Sequence, residues 1–284
     1  MRHSRRRGAV ISAAVVAVAA ISGVGVLGWS GGQSPSTTHR PSHNPQVVIT
    51  PASDLAVTRM RPIVYIQAGH APPGEPGYLA QTGASGGPFG TEVAFNRRLA
   101  PALALRLERA GIDARLTPAK VTPWGAKGAV FISLHFDAAG GSAGIGYAVD
   151  QPGRGENYYH GQGFGTATPV PYPDSAPHRR ATRVTVAVQR QSLALARDIA
   201  VVFGRVHTPA NGAFGHFRGV EPGARGNARM QFFYGYYRVN TTARVLIECG
   251  AADSDRAFLG HVGLIAGAIG SGIVGYLRQT GQLH

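Results

Sequence analysis

The chain has 284 residues, 44% of them hydrophobic and only 15% charged, a composition that can bury one sizeable core and excludes a disordered polymer. Its formal net charge of +14 comes almost wholly from arginine, since only Lys120 and Lys127 are lysines, and it favours anionic partners. No zinc finger, aromatic-bearing RNP segment or basic helix with trailing heptads is present, which argues against nucleic-acid binding. The single cysteine, Cys249, excludes an internal disulfide and a cysteine-rich metal site.

Arg2, Arg5, Arg6 and Arg7 precede an uncharged apolar run from Ala9 to Trp29, the layout of an export signal. That run approaches the ~20 residues that a bilayer-spanning helix needs, and no clean small-x-small cleavage site follows it. Residues 1–30 are therefore expected to be a signal peptide or a membrane anchor, with the arginines left inside and the remainder exported. Residues 31–60 are rich in Ser, Thr, Pro, Gly and His without an apolar period, and read as a flexible linker. The folded domain is expected to occupy residues 61–284.

Within it, Ile63 to Ala68 reads as a short apolar strand. Thr91 to Ala110 reads as an amphipathic helix closed by Gly111, with Pro101 kinking it or marking where its first part ends. Ile112 to Thr117 and Ala129 to Leu134 are further strands, and another is expected at Ile145 to Val149. A Gly/Pro/Tyr stretch, Asp150 to Arg183, leads to a helix around Val186 to Phe203. Arg244 to Cys249 is an apolar strand, and a final helix runs from about Asp255 to Leu277. Strands alternating with helices imply an α/β fold built on a mainly parallel twisted sheet flanked by helices.

Three residues fall where such a fold places its chemistry, at the carboxyl ends of strands. His70 follows the first strand, His135 ends the third, and Glu92 sits in the first turn of the helix between them, where the helix dipole favours a carboxylate. Two histidines and a carboxylate, with water in a fourth position, are a known catalytic zinc set. Taken singly each residue has another reading: a strand-end histidine can be a hydrogen-bonded rim residue, and a first-turn glutamate can be a cap. Glu248 alternates with Ile247 and Cys249 on an otherwise apolar strand, so an ionised carboxylate there is costly unless it faces a cation or a polar cleft. A rim glutamate paired with an arginine is the alternative, and Cys249, pointing the other way, is a small core residue.

The segments Val64-Tyr65-Ile66-Gln67-Ala68-Gly69-His70, Gly90-Thr91-Glu92-Val93-Ala94-Phe95-Asn96 and Phe131-Ile132-Ser133-Leu134-His135-Phe136-Asp137-Ala138 resemble the metal-ligand motifs of the zinc-dependent N-acetylmuramoyl-L-alanine amidases. Val245-Leu246-Ile247-Glu248-Cys249-Gly250 resembles the strand that carries that family's catalytic glutamate, and Phe217-Arg218-Gly219-Val220 resembles a short segment that precedes it. The motifs keep the family's order over about residues 62 to 280. The resemblance implies that His70, Glu92 and His135 bind zinc, and that Glu248 is the general base and acid. It further implies that the substrate is peptidoglycan or a muropeptide, cut between N-acetylmuramic acid and L-alanine by a protein acting outside the cytoplasm.

Some positions depart from the family pattern. Gln67 stands where an aspartate is usual, which removes a charge near the first ligand and implies weaker metal holding. Pro72-Pro73 replaces a Gly-rich turn, Pro118 to Gly128 is short, and Asp137 takes the place of an asparagine. Asp150 to Arg183 resembles an insertion, whose Tyr158, Tyr159, His160, Phe164 and Tyr172 suit stacking on sugar rings. A zinc peptidase of carboxypeptidase-like fold and a catalytically inactive wall-binding homologue remain as alternatives, and nothing in the sequence sets an oligomeric state.

Overall fold

The computed structural model describes residues 60–71, 82–118, 125–150, 182–207, 217–223 and 239–284. Chain contacts separate Met1–Ala56 from Val57–His284, and every described residue belongs to the second unit. The expected leader and linker, the aromatic stretch 151–181 and the turn at Pro72-Pro73 lie outside the described residues. Among the described residues no helix is long and apolar enough to cross a membrane.

Six strands form one sheet in the order β2-β1-β3-β6-β4-β5. They are β1 (Ile63–Ala68), β2 (Asp113–Pro118), β3 (Lys127–Asp137), β4 (Ala143–Tyr147), β5 (Phe217–Pro222) and β6 (Asn240–Ala251). The pairs β1/β2, β1/β3, β3/β6 and β4/β5 are parallel, while β4 runs antiparallel to β6. The mainly parallel α/β sheet expected from the alternation of elements is therefore the observed one. Strand β5 was not expected as a strand: its partly buried, Gly- and Pro-containing sequence carries little β-branched signal, and pairing with β4 at the sheet edge creates it.

Side chains alternate across this sheet. On one face Val64, Ile66, Val130, Ile132, Leu134, Val245 and Ile247 join the main core with helices α1 (Glu92–Arg109), α2 (Val186–His207) and α4 (Val262–Gln279). On the other face a smaller cluster around Tyr65, Phe131 and Leu246 gives way, towards the carboxyl ends of β1, β3 and β6, to the polar residues Gln67, Ser133, His135 and Glu248. The sheet thus packs hydrocarbon on one side and presents chemistry on the other. Cys249 is buried in the main core, and its burial pushes the thiol well above the usual range.

Helix α1 begins where its sequence says it should: the Thr91 hydroxyl accepts from the Ala94 amide at 3.3 Å. Its face of Phe95, Leu99, Leu103 and Leu107 is wholly buried, and each such leucine contributes about 1.5–3 kcal/mol by leaving water. Pro101 does not end it. Both Pro101 and Arg97 are exposed, so the Arg97 carbonyl that proline cannot bond is left to solvent, and the helix continues to Arg109. The final helix, expected to be continuous, is instead broken into α3 (Arg256–Leu259) and α4 by Gly260 and His261, the latter at φ −89° and ψ 55°. Asp255, just before α3, is wholly buried. Its Oδ2 accepts from the Ala251 amide at 2.7 Å and its Oδ1 meets His207 Nε2 at 3.0 Å.

Buried Arg244 is another residue that apolar patterning passed over. Lying in the middle of β6 with no exposure, its guanidinium donates to the carbonyls of Thr241 and Arg183 and to the Thr182 hydroxyl. It fastens the segment that enters α2 onto the sheet.

Candidate active site

The three expected metal ligands meet. One donor atom from each of His70, Glu92 and His135 lies within 4.8 Å of the others. His135 Nδ1 is 2.7 Å from Glu92 Oε1, His70 Nε2 is 3.3 Å from Glu92 Oε2, and the imidazole rings stand nearly perpendicular with centroids 5.1 Å apart.

Local structure explains the convergence. β1 ends at Ala68, and the turn beyond it places His70 at φ 60°, a left-handed conformation rare for a residue with a Cβ and characteristic of functional sites. Two bonds hold this turn: the Gly69 amide donates to the Leu134 carbonyl at 3.1 Å, and the buried Asn96 side chain donates to the Gly69 carbonyl at 2.9 Å. Glu92 is the first residue of α1, and both its oxygens are also held by backbone amides, Oε2 by Ala84 at 2.8 Å and Oε1 by Phe136 at 3.3 Å. Burial opposes ionisation of Glu92, but hydrogen bonds from His135 and His70 hold its carboxyl far below the usual range. Burial lowers the pKa of His135, which favours the neutral imidazole that a metal requires. His135 does not end its strand as expected. β3 runs on to Asp137, with a register irregularity between the two against β6, a device that re-aims side chains beside active sites.

The room around these donors is cut to fit. A Cβ at Gly83 would lie 2.3 Å from Glu92 Oε2 and 2.7 Å from His70 Cδ2, and a Cβ at Gly69 would lie 2.4 Å from His135 Cε1. A donor set of two imidazoles and one carboxylate, with glycine clearing its flanks, is compatible with a metal ion. Gly69→Ala is accordingly expected to displace His135 and weaken zinc binding by roughly tenfold or more, as a chelator titration would read it. Parental affinity in that variant would show that the close approach is not required.

Glu248, on β6, stands apart from the His70, Glu92 and His135 cluster but beside it, directly in register with His135 on β3 and with Gly144 on β4. Its Oε2 is buried with no hydrogen-bond partner among the described residues. Burial, followed by the charges of Glu92 and Asp137, pushes its pKa well above the usual range, while Arg218 opposes the shift. The Arg218 guanidinium lies over Gly144, where a Cβ would come within 3.0 Å of its Nε, and its Nη2 is 3.6 Å from Glu221 Oε1. Arg218 was noticed in the sequence only as part of a motif; its place beside Glu248 depends on the unforeseen strand β5. Asp137, which takes the place of an asparagine in the family pattern, turns its Oδ1 to the Ala138 amide at 2.9 Å and acts on Glu248 through its charge.

No protein-family model matches the chain. A search of curated proteins also finds no match. Among solved structures it is similar to Cwp6 from Clostridium difficile, with a TM-score of 0.46, 18% identity, 78% of this chain covered and 29% of that one, so the chain spans less than a third of Cwp6. It is similar to the catalytic domain of CwlV, an N-acetylmuramoyl-L-alanine amidase from Bacillus (Paenibacillus) polymyxa var. colistinus, with a TM-score of 0.44, 17% identity and coverage of 77% and 99%. It is also similar to Ami1, an N-acetylmuramyl-L-alanine amidase from Mycobacterium smegmatis, with a TM-score of 0.46, 17% identity and coverage of 76% and 97%.

Proposed function

We propose that this protein is a zinc hydrolase that cleaves the amide between N-acetylmuramic acid and L-alanine in peptidoglycan or its fragments. The observation that carries the reading is the pairing of a three-donor cluster, His70, Glu92 and His135, with a separate carboxylate, Glu248, set in register beside His135. The four motifs that resemble those of the amidases supply these same residues.

Zinc held there would supply Lewis-acid polarisation of the scissile carbonyl and a water acidic enough to react near neutral pH. Glu248 takes the proton of the attacking water and passes it to the leaving amine. Burial raises its pKa, which strengthens the carboxylate as a base towards water, and the acid so formed is the species that donates to the amine. Glu92 keeps its charge as a ligand, so the two glutamates divide the work according to environment. Arg218, a cation beside Glu248, limits how far the neighbouring carboxylates raise its pKa.

Two measurements test the reading. The purified protein should contain about one zinc per chain after expression with the metal, and a defined muropeptide should release a new amino terminus on L-alanine. Absence of zinc would sink the metal hypothesis. A new terminus elsewhere in the stem peptide would favour a peptidase, and zinc without turnover an inactive wall-binding homologue.

The charged and apolar N-terminal run supports an exported protein, cleaved or anchored, which the positive net charge would bring towards anionic wall polymers, weakly so at physiological salt. A reporter active only outside the membrane, fused after Ser53, should be active; a silent but well-expressed fusion would overturn export.

A further inference from the structure

The polar face of the sheet carries a buried chain of hydrogen-bonding groups behind the metal donors. Ser133 Oγ lies 2.9 Å from His135 Nε2, and its hydroxyl donates to Gln67 Oε1. The three residues sit on adjacent strands: Ser133 is in register with Gln67, and His135 follows two residues along on the same face. All three are sealed from solvent, with exposures of 1% for Gln67, 0% for Ser133 and 2% for His135. A buried polar chain of this kind costs stability wherever a member lacks a partner, so its directions of donation are coupled.

Each end of the chain has two settings. If the His135 proton is on Nε2, it donates to Ser133, which donates to the Gln67 carbonyl, and Nδ1 turns a lone pair towards Glu92. At 2.7 Å that lone pair would oppose an anionic oxygen, an arrangement stabilised by a cation at the donor cluster. Without a cation the chain can take the opposite setting, in which the Gln67 amide donates to Ser133, Ser133 donates to Nε2, and Nδ1–H donates to Glu92. Only an amide can end the chain both ways, because a carboxylate is an acceptor alone.

We infer that Ser133 and Gln67 are positioning residues that hold the His135 ring with Nδ1 towards the metal position and let the chain of hydrogen bonds reverse, without change of charge, when metal enters. Gln67, conspicuous in the sequence as a missing charge, thereby becomes the element that lets the chain reverse. The inference rests on the proposed metal site.

The test uses the purified full chain, zinc-free and zinc-loaded, with zinc affinity measured by chelator competition and the His135 tautomer by nitrogen NMR, the signal being assigned by its loss in His135→Gln. Ser133→Ala and Gln67→Leu should weaken zinc binding by roughly 10- to 100-fold. Gln67→Glu should restore or exceed parental affinity, since its carboxylate accepts from Ser133 and favours the metal-holding direction. In the parent the proton should be on Nδ1 without zinc and on Nε2 with it, whereas Gln67→Glu should shift the zinc-free form towards Nε2. Parental zinc affinity in both Ser133→Ala and Gln67→Leu, or a tautomer that ignores zinc, overturns the inference while the metal reading stands. Loss of zinc in Gln67→Glu as severe as in Gln67→Leu also overturns it. A parent that takes up no zinc overturns the metal reading, and the inference with it.

Discussion

Glu248→Gln should leave about one zinc per chain and an intact fold, while turnover of a defined muropeptide falls by roughly 10² to 10⁴, the range of a positioned general acid–base. Gln fills nearly the same volume at this partly buried site on β6, but it cannot take a proton from water. Glu92→Ala should behave differently and lose zinc and activity together, because Glu92 is the only carboxylate in the donor cluster. Zinc content beside steady-state rates separates the two glutamates. Parental turnover in Glu248→Gln would remove it from the mechanism and direct attention to Asp137, whose charge acts on the same site.

The largest effect on stability is expected at Asp255. Asp255→Ala removes the partner of His207 Nε2 and the acceptor of the Ala251 amide in one change, at a place where both side chains of the pair are fully buried. Leaving these two buried groups without their partner costs about 1–3 kcal/mol each, which a denaturant midpoint on the zinc-free protein would read directly. His207 also lies against Phe203, Phe217 and Phe258, so the loosened ring disturbs α2, β5 and α3 together. A loss below about 1 kcal/mol would show that neighbouring groups or water can take over the pair's hydrogen bonds.

That His70, Glu92 and His135 would come together was legible because they sit at strand ends and a helix start within motifs that resemble those of the amidases. β1, α1 and β6 were visible through their apolar patterning. What stayed hidden depends on contacts between distant segments. β5 is a strand only because β4 offers it an edge, and Arg218 reaches Glu248 only through that pairing. The last helix keeps its apolar rhythm across Gly260 and His261, so periodicity carries no sign of the break, nor of Asp255 turned inward to His207 just before it. Gln67 shows the same limit from the other side. Its identity suggests a deficit at the metal and carries no sign of its buried hydrogen bond with Ser133.

The metal donors come from three stretches of chain, the turn after β1, the start of α1 and the interior of β3, fastened to one another by backbone amides at Gly69, Ala84 and Phe136. An unfolded chain therefore holds no preformed copy of this cluster, and any zinc the native form binds adds to its stability by mass action. Free zinc at 1,000 times the dissociation constant would contribute about 4 kcal/mol, comparable with the whole of the Asp255 pair. Zinc supply would then govern how long the protein survives as well as whether it works.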